Sequence, residues 1–370
     1  MSKQPDRMIA LDVLRGLTIL LMIIVNNPGS WTYVYPPLRH APWDGCTPTD
    51  LVFPFFMFIV GTAMWYSFKK QDYRLNPSLT GKIIKRTILI FSMGLFLNAF
   101  PFKNFDPDFL RIMGVLQRIA FAYGVAAFMV LLFPIRWNYV IIWVLLLGYW
   151  GILHLFGGED PLSLEGNVVR QTDLFILGES HMYHGYGIPF DPEGLLSTVP
   201  SVANILFGFL AGRLIDQQQD RLKSVYQLIG WGTTGIVAAL LWNPLFPINK
   251  PIWSSSYVLY SCGLASILLA ILIWIIDIKR KQKWAHPLLV YGMNPLFIFM
   301  LAGIWADLLS VILIPGADGG QVSLKTFIYQ ELLVPWAGKM NGSLLFALHY
   351  AVLFWLVGFI LYRKKIFIKI

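Results

Sequence analysis

Cysteine is nearly missing from this 370-residue chain: Cys46 and Cys262 stand far apart, with no CxxC pair. That excludes a disulfide framework, and both thiols are expected to be inert, Cys46 less so because of its neighbours. Charge is scarce too, since Asp, Glu, Lys and Arg make up 13% of the chain against 56% apolar residues, at a mean hydropathy of +0.61. A soluble protein is excluded by that balance. The first apolar run is followed by no small-residue cleavage site and is expected to stay as a helix. No internal repeat or low-complexity tract is present, so an inverted-repeat transporter gains no support.

What the sequence does have is apolar runs of spanning length, repeated with short connections between them. The expected fold is all-α: a polytopic integral membrane protein, one domain over 1–370, with about ten transmembrane helices. They are placed at 8–28, 50–68, 83–99, 112–133, 137–156, 195–215, 226–245, 253–276, 287–311 and 343–362. An extracytoplasmic insertion at 157–193 separates the fifth from the sixth. The run 324–334 is too short to span and is expected to be interfacial or re-entrant.

The net charge of +9 would suggest nucleic acid in a soluble protein, but here the cations flank membrane segments and nucleic acid is not expected. Lys69, Lys70, Arg74, Lys82, Lys85 and Arg86 form the richest basic cluster, which the positive-inside rule makes cytoplasmic. Alternation then puts both termini in the cytoplasm, Lys3, Arg7 and Lys369 with them. The outer connections keep only Arg39, Lys103, Arg111, Arg170, Lys250, Lys325 and Lys339.

The stretch 31–61, WTYVYPPLRHAPWDGCTPTDLVFPFFMFIVG, holds His40 between two Pro-rich turns, just outside a span and just before Asp50. A histidine so placed points to chemistry at a membrane face. Thr49-Asp50 has the pattern of a helix N-cap, which is preferred to a role for Asp50 in orienting His40. Asp12 and Arg15, three apart on one helix face, are expected to pair. Arg118 cannot stay unpaired in lipid, and Asp50, Asp12 or an anionic ligand is its expected partner.

These residues fall into words that resemble the transmembrane heparan-alpha-glucosaminide N-acetyltransferase family and its bacterial homologues. The words are LDVLRG at 11–16, HAPWDGCTPTDLVFPFFMFIVG at 40–61, GVLQRIA at 114–120 and GESHMYH at 178–184. DPEGLLST at 191–198, INKPIWSSSYVL at 248–259, YGMNPL at 291–296 and YRKKIFIKI at 362–370 complete the series. The resemblance implies transfer of acetyl from cytosolic acetyl-CoA to the amino group of a glucosamine on the far side of the membrane, by a homodimer. The chain starts at its first helix and ends without a sorting signal, which suits a bacterial inner-membrane homologue. Its acceptor is then expected to be glucosamine, a related amino sugar or a cell-surface glycan.

In that chemistry His40 is the expected general base, with an acetyl-histidine intermediate as the competing mechanism. Asn26 matches the family position beside the catalytic histidine and is expected to polarise the thioester carbonyl. Arg15, Lys85, Arg86, Arg118, Lys364 and Lys365 are candidates for the phosphates of CoA. His181, Asp191, Glu193, Asn249 and Trp253 are candidates for the sugar. His181 and His184 lack a third ligand, so no metal is expected. A sugar or glycan transporter without covalent chemistry is the alternative, and a structural subunit of a surface-polysaccharide machine a third possibility.

Overall fold

A computed structural model describes residues 8–103, 105–316 and 320–368; Lys3, Arg7 and Lys369 lie outside the described residues. The long helices are α1 (Ile9–Asn26), α2 (Pro48–Lys69), α3 (Pro77–Ala99), α4 (Val115–Leu132) and α5 (Ile135–Phe156). A short α6 (Val168–Leu177) precedes α7 (Leu195–Gln217), α8 (Arg221–Trp242) and α9 (Ser255–Leu272), which a π-helical turn prolongs to Ile278. Next come α10 (His286–Met293), α11 (Pro295–Val311), α12 (Leu324–Phe327) and α13 (Val334–Arg363). Between α11 and α12 lies a hairpin of β1 (Leu313–Pro315) and β2 (Gln321–Ser323), with Ile314 opposite Val322. The protein is an all-α multi-pass membrane protein.

Among the described residues, eight helices are long and apolar enough to cross a membrane, or nine if α10 and α11, bent by 73°, count as one span. The expected count of about ten is reached only by including α3. That helix has the length but carries Lys82, Lys85 and Arg86 in its first half. It begins at Pro77, where the Asn76 side chain accepts from the Leu79 amide at 2.9 Å, ahead of the expected start at 83, so all three cations ride on the helix. One further boundary differs from expectation. The span expected at 287–311 breaks at Asn294, where Pro295 opens a new helix. The run 324–334 continues through a π-helical turn (Ile328–Leu333) into the first residues of α13, and a kink at Gly338, at φ 75°, sets this short piece off from the long helix that follows.

Where helices cross most closely, glycine lets the backbones touch. A Cβ on Gly61 of α2 would lie 1.9 Å from the Ile205 carbonyl oxygen of α7, and one on Gly208 would lie 1.9 Å from the Phe58 oxygen. In lipid, where apolar side chains have no water to escape, such close packing is what joins helices. It matters here because α2 runs past all three cavities described below. Replacing Gly208 by Val is expected to cost about 1–3 kcal/mol through overpacking. The thermal midpoint of the detergent-solubilised protein reads it, with Gly148→Val as control, since nothing lies within 4 Å of a Cβ there. Equal midpoints would refute the close approach.

Candidate active site

The loop that carries His40 is wound around Arg39, whose guanidinium donates to the Val34 oxygen at 2.7 Å and the Thr32 oxygen at 3.1 Å. It then enters α2 through a capping box. The cap residue is Thr47, two positions before the expected Thr49, and Asp50 is the third helical residue. Asp50 Oδ2 accepts the amides of Thr47 at 3.0 Å and Ala41 at 3.1 Å. Its other oxygen, Oδ1, stands 2.6 Å from His40 Nδ1. Asp50 therefore caps the helix and orients the histidine at once; the sequence pattern exposes only the first role.

Pro54, one turn into α2, has no N–H to give to the carbonyl of Asp50. The Tyr257 hydroxyl of α9 donates to that oxygen instead, at 2.5 Å. Lys250, from the connection between α8 and α9, places Nζ 3.0 Å from His40 Nδ1 and 3.5 Å from Asp50 Oδ1. Asn249 holds this connection in place. Its amide donates to Asp44 at 3.1 Å and its oxygen accepts the Ile252 amide at 2.9 Å, while Gly45 donates to the Ile248 oxygen at 2.7 Å. Burial lowers the pKa of the Lys250 ammonium, partly offset by the charges of Asp50 and Glu193. Burial, then the Asp50 charge, pushes the Cys46 thiol up to about 12, so it stays protonated and unreactive at neutral pH.

His40, Asp50 and Lys250 form one wall of a cavity of about 270 Å³. Arg111, Tyr183, Tyr186, Pro192 and Glu193 form the other. Arg111 forks onto Asp191 at 2.7 and 2.9 Å, reaches Glu193 at 2.7 Å, and lies 4.8 Å above the Tyr183 ring. Burial pushes the Glu193 carboxyl up, but the Arg111 and Arg118 charges outweigh it and hold the group below its ordinary value.

Of the sugar candidates, only Glu193 lines this cavity. Asp191 is buried behind it, taken up by Arg111 and the Glu193 amide. The ring of His181 donates to the Leu110 oxygen at 2.7 Å. Trp253 is buried beneath the site, 5.0 Å from the Phe53 ring and donating to Asn204 at 2.9 Å, so it is no exposed platform; Tyr183 and Tyr186 are the aromatics at the cavity. Arg118 packs 4.6 Å over Trp253 and donates to Gly194 and Ser197, not to Asp50 or Asp12. Asn26 is exposed at the end of α1, and among the described residues no hydrogen bond ties it to His40. Asn27 is buried and donates to the Ile23 oxygen at 2.8 Å.

At the other end of α2 lie two more cavities, of about 370 and 710 Å³, which share Arg15 and Ala63. Arg15 pairs with Asp12 at 3.0 Å, as expected. Arg86, stacked 4.6 Å over Tyr123, lines the smaller cavity with Ile368; Lys69, Lys70 and Arg221 line the larger. Lys364 and Lys365 are exposed on the turn after α13 and line neither. The His40 cavity shares no lining residue with these two. Asp50 and Phe56, the nearest wall residues on α2, are about 9 Å apart along the helix. Sequence reasoning missed Lys250, Arg111 and the two tyrosines. The available signal was charge on the outer side, where the positive-inside rule gives Arg111 and Lys250 no reason to be.

The family model for heparan-alpha-glucosaminide N-acetyltransferase, catalytic, matches residues 7–242. The heparan-alpha-glucosaminide N-acetyltransferase of Homo sapiens is 28% identical over 432 residues, covering 100% of this chain, and that of Mus musculus 26% over 422 residues, covering 99%. The chain spans 61% of the length of each relative.

Two outcomes test the scaffold of the site. Tyr257→Phe strands the Asp50 carbonyl and is expected to cost about 1–3 kcal/mol. Pro54→Ala restores the helical N–H, so the double variant should recover most of that loss in thermal midpoint; a purely additive pair refutes the link. Asp173 of α6 accepts the Leu195 amide at 2.9 Å, and its burial raises its pKa to about 7. Because the folded value lies above the unfolded one, its stabilisation is full below about pH 4 and is lost as pH rises through about 7. Asp173→Asn should flatten the fall of the thermal midpoint across that window.

Proposed function

Because the chain belongs to the heparan-alpha-glucosaminide N-acetyltransferase family, we propose that it moves acetyl from acetyl-CoA to the amino group of glucosamine or a related amino sugar or glycan. The observation that carries the reading is the 2.6 Å contact between His40 Nδ1 and Asp50 at the edge of a cavity. A contact that short between a ring nitrogen and a carboxylate oxygen needs a proton between them, so Nδ1 is the donor, and in the neutral imidazole Nε2 then keeps its lone pair. Lys250 then stands beside Nδ1 as a neighbouring charge instead of its hydrogen-bond donor.

The acceptor amine attacks the thioester carbonyl, the C–S bond breaks, His40 Nε2 takes the proton from nitrogen, and CoA leaves as the thiolate. Direct attack is preferred to an acetyl-histidine because a neutral sugar amine is already a good nucleophile. The ionised Glu193 suits an incoming ammonium, and the tyrosines suit a sugar ring. Asn26, at the same end of the bundle as His40, is assigned to the carbonyl oxygen. Arg15 and Arg86, with Lys69, Lys70 and Arg221 next to them, suit the phosphates of CoA. The positive-inside charges support a cytoplasmic entry for CoA, and a bacterial inner membrane is the proposed setting. Acetyl must then cross the closed layer between Asp50 and Phe56.

That closed layer is the one observation favouring a second reading, a sugar or glycan carrier with cavities at opposite faces. Thiol release from acetyl-CoA, over a panel of amines in nanodiscs, separates the two. Transfer predicts amine-dependent release that His40→Ala lowers roughly 10²–10⁴-fold. Asn26→Ala should lower kcat more than it raises KM. Release untouched by His40→Ala would sink the assignment, and sugar exchange without any release would establish the carrier.

A further inference from the structure

We propose that α6 is an interfacial helix, lying in the face of the bilayer at the His40 end with Phe175 and Ile176 among the lipid acyl chains. Its depth follows from its contacts. Asp173 accepts the amide of Leu195, the first residue of the membrane-spanning α7, and a Cβ on Gly194 would strike the same carboxylate at 1.7 Å. The helix therefore lies level with the point where the chain enters the membrane.

Its two faces differ as such a position requires. Val169 and Asp173, one turn apart, are buried against the bundle, whereas Phe175 is 90% exposed and Ile176 58%. In water two large apolar side chains side by side at this exposure have no reason to face outward; at a bilayer surface they have a solvent. Both flanks also carry exposed apolar side chains. Gly158 donates to the Gly166 oxygen at 2.9 Å and so ties the start of α6 to the end of α5, where Leu155 is 79% exposed. Beyond the far end, Ile112 donates to the His181 oxygen at 3.1 Å, next to Phe109, 71% exposed. Exposed apolar side chains thus flank α6 on both sides, at the end of α5 and ahead of α4.

The same helix holds a wall of the His40 cavity, since Arg170 Nε donates to the Pro189 oxygen at 2.8 Å and Asp173 fixes the start of α7. Lipid seating of Phe175 would brace the segment that carries Glu193. The placement of α6 itself does not rest on the acetyl-transfer reading.

The test is a spin label at Phe175→Cys, in full-length protein with Cys46→Ser and Cys262→Ala, in phosphatidylcholine nanodiscs. Collision with oxygen and with a water-soluble nickel chelate is compared with labels at Leu147→Cys, on the exposed face of α5, and Glu165→Cys, in the exposed connection. An oxygen-to-nickel ratio several-fold above that of position 165 and close to that of position 147 is expected. A ratio equal to that of position 165 puts α6 in water and overturns the proposal. Low collision with both reagents means that protein, such as a second copy of the chain, covers the face, and overturns it equally. Ile176→Cys gives the same reading if the first variant does not fold.

Discussion

One buried carboxylate joins the parts on which everything else rests. Asp50 is 1% exposed in its side chain, and a charge so far from water survives only with its lone pairs occupied. Oδ2 is filled by two loop amides and Oδ1 by the imidazole, with the Lys250 ammonium alongside. The backbone oxygen of the same residue is taken by Tyr257, because Pro54 has no hydrogen to offer it. The loop, α2 and α9 thus meet at a single residue. A change that loosens any of them also moves His40.

Around that residue, charge is balanced in two layers. At the cavity, Lys250 answers Asp50 and Arg111 answers Asp191 and Glu193. Beneath it, Arg118 lies flat on Trp253 with its Nε and Nη1 buried and unpartnered, near enough to feel the carboxylates of Glu193, Asp191 and Asp173. In a medium of low dielectric such an array is rigid because each charge depends on its neighbours. Rigidity of this kind suits a site that must hold an imidazole in one orientation while a proton passes.

Much of this was legible in the sequence where the signal is local. Apolar runs of spanning length gave the helices, and the Asp12–Arg15 spacing gave its pair, because both depend on residues within one turn or one span. Helix starts were less legible: α3 was expected to start at 83, although Asn76-Pro77 marks a cap and a first turn. Lys250 and Trp253 were misjudged for a different reason. Their partners, His40 and Arg118, lie far away in the chain, and the Asp44–Asn249 and Gly45–Ile248 bonds tie the HAPWDG and INKPIW words together. No periodicity reports such a contact. The resemblance named the words but not which of their residues would face the cavity.

The layer that closes the His40 cavity from the Arg15 cavity has its weakest point in the first turn of α2. Elsewhere the helix is held by its own backbone ladder, but at Pro54 the rung to Asp50 is absent and a side chain from α9 stands in for it. A helix–helix hydrogen bond through one hydroxyl can be exchanged without unwinding either helix, whereas the glycine crossing of α2 with α7 at Gly61 and Gly208 cannot move without a clash. Motion that opens a path from one end of α2 to the other is therefore cheapest on the α9 side, next to Asp50 and Lys250. The passage a thioester would need ends beside the residues that would use it.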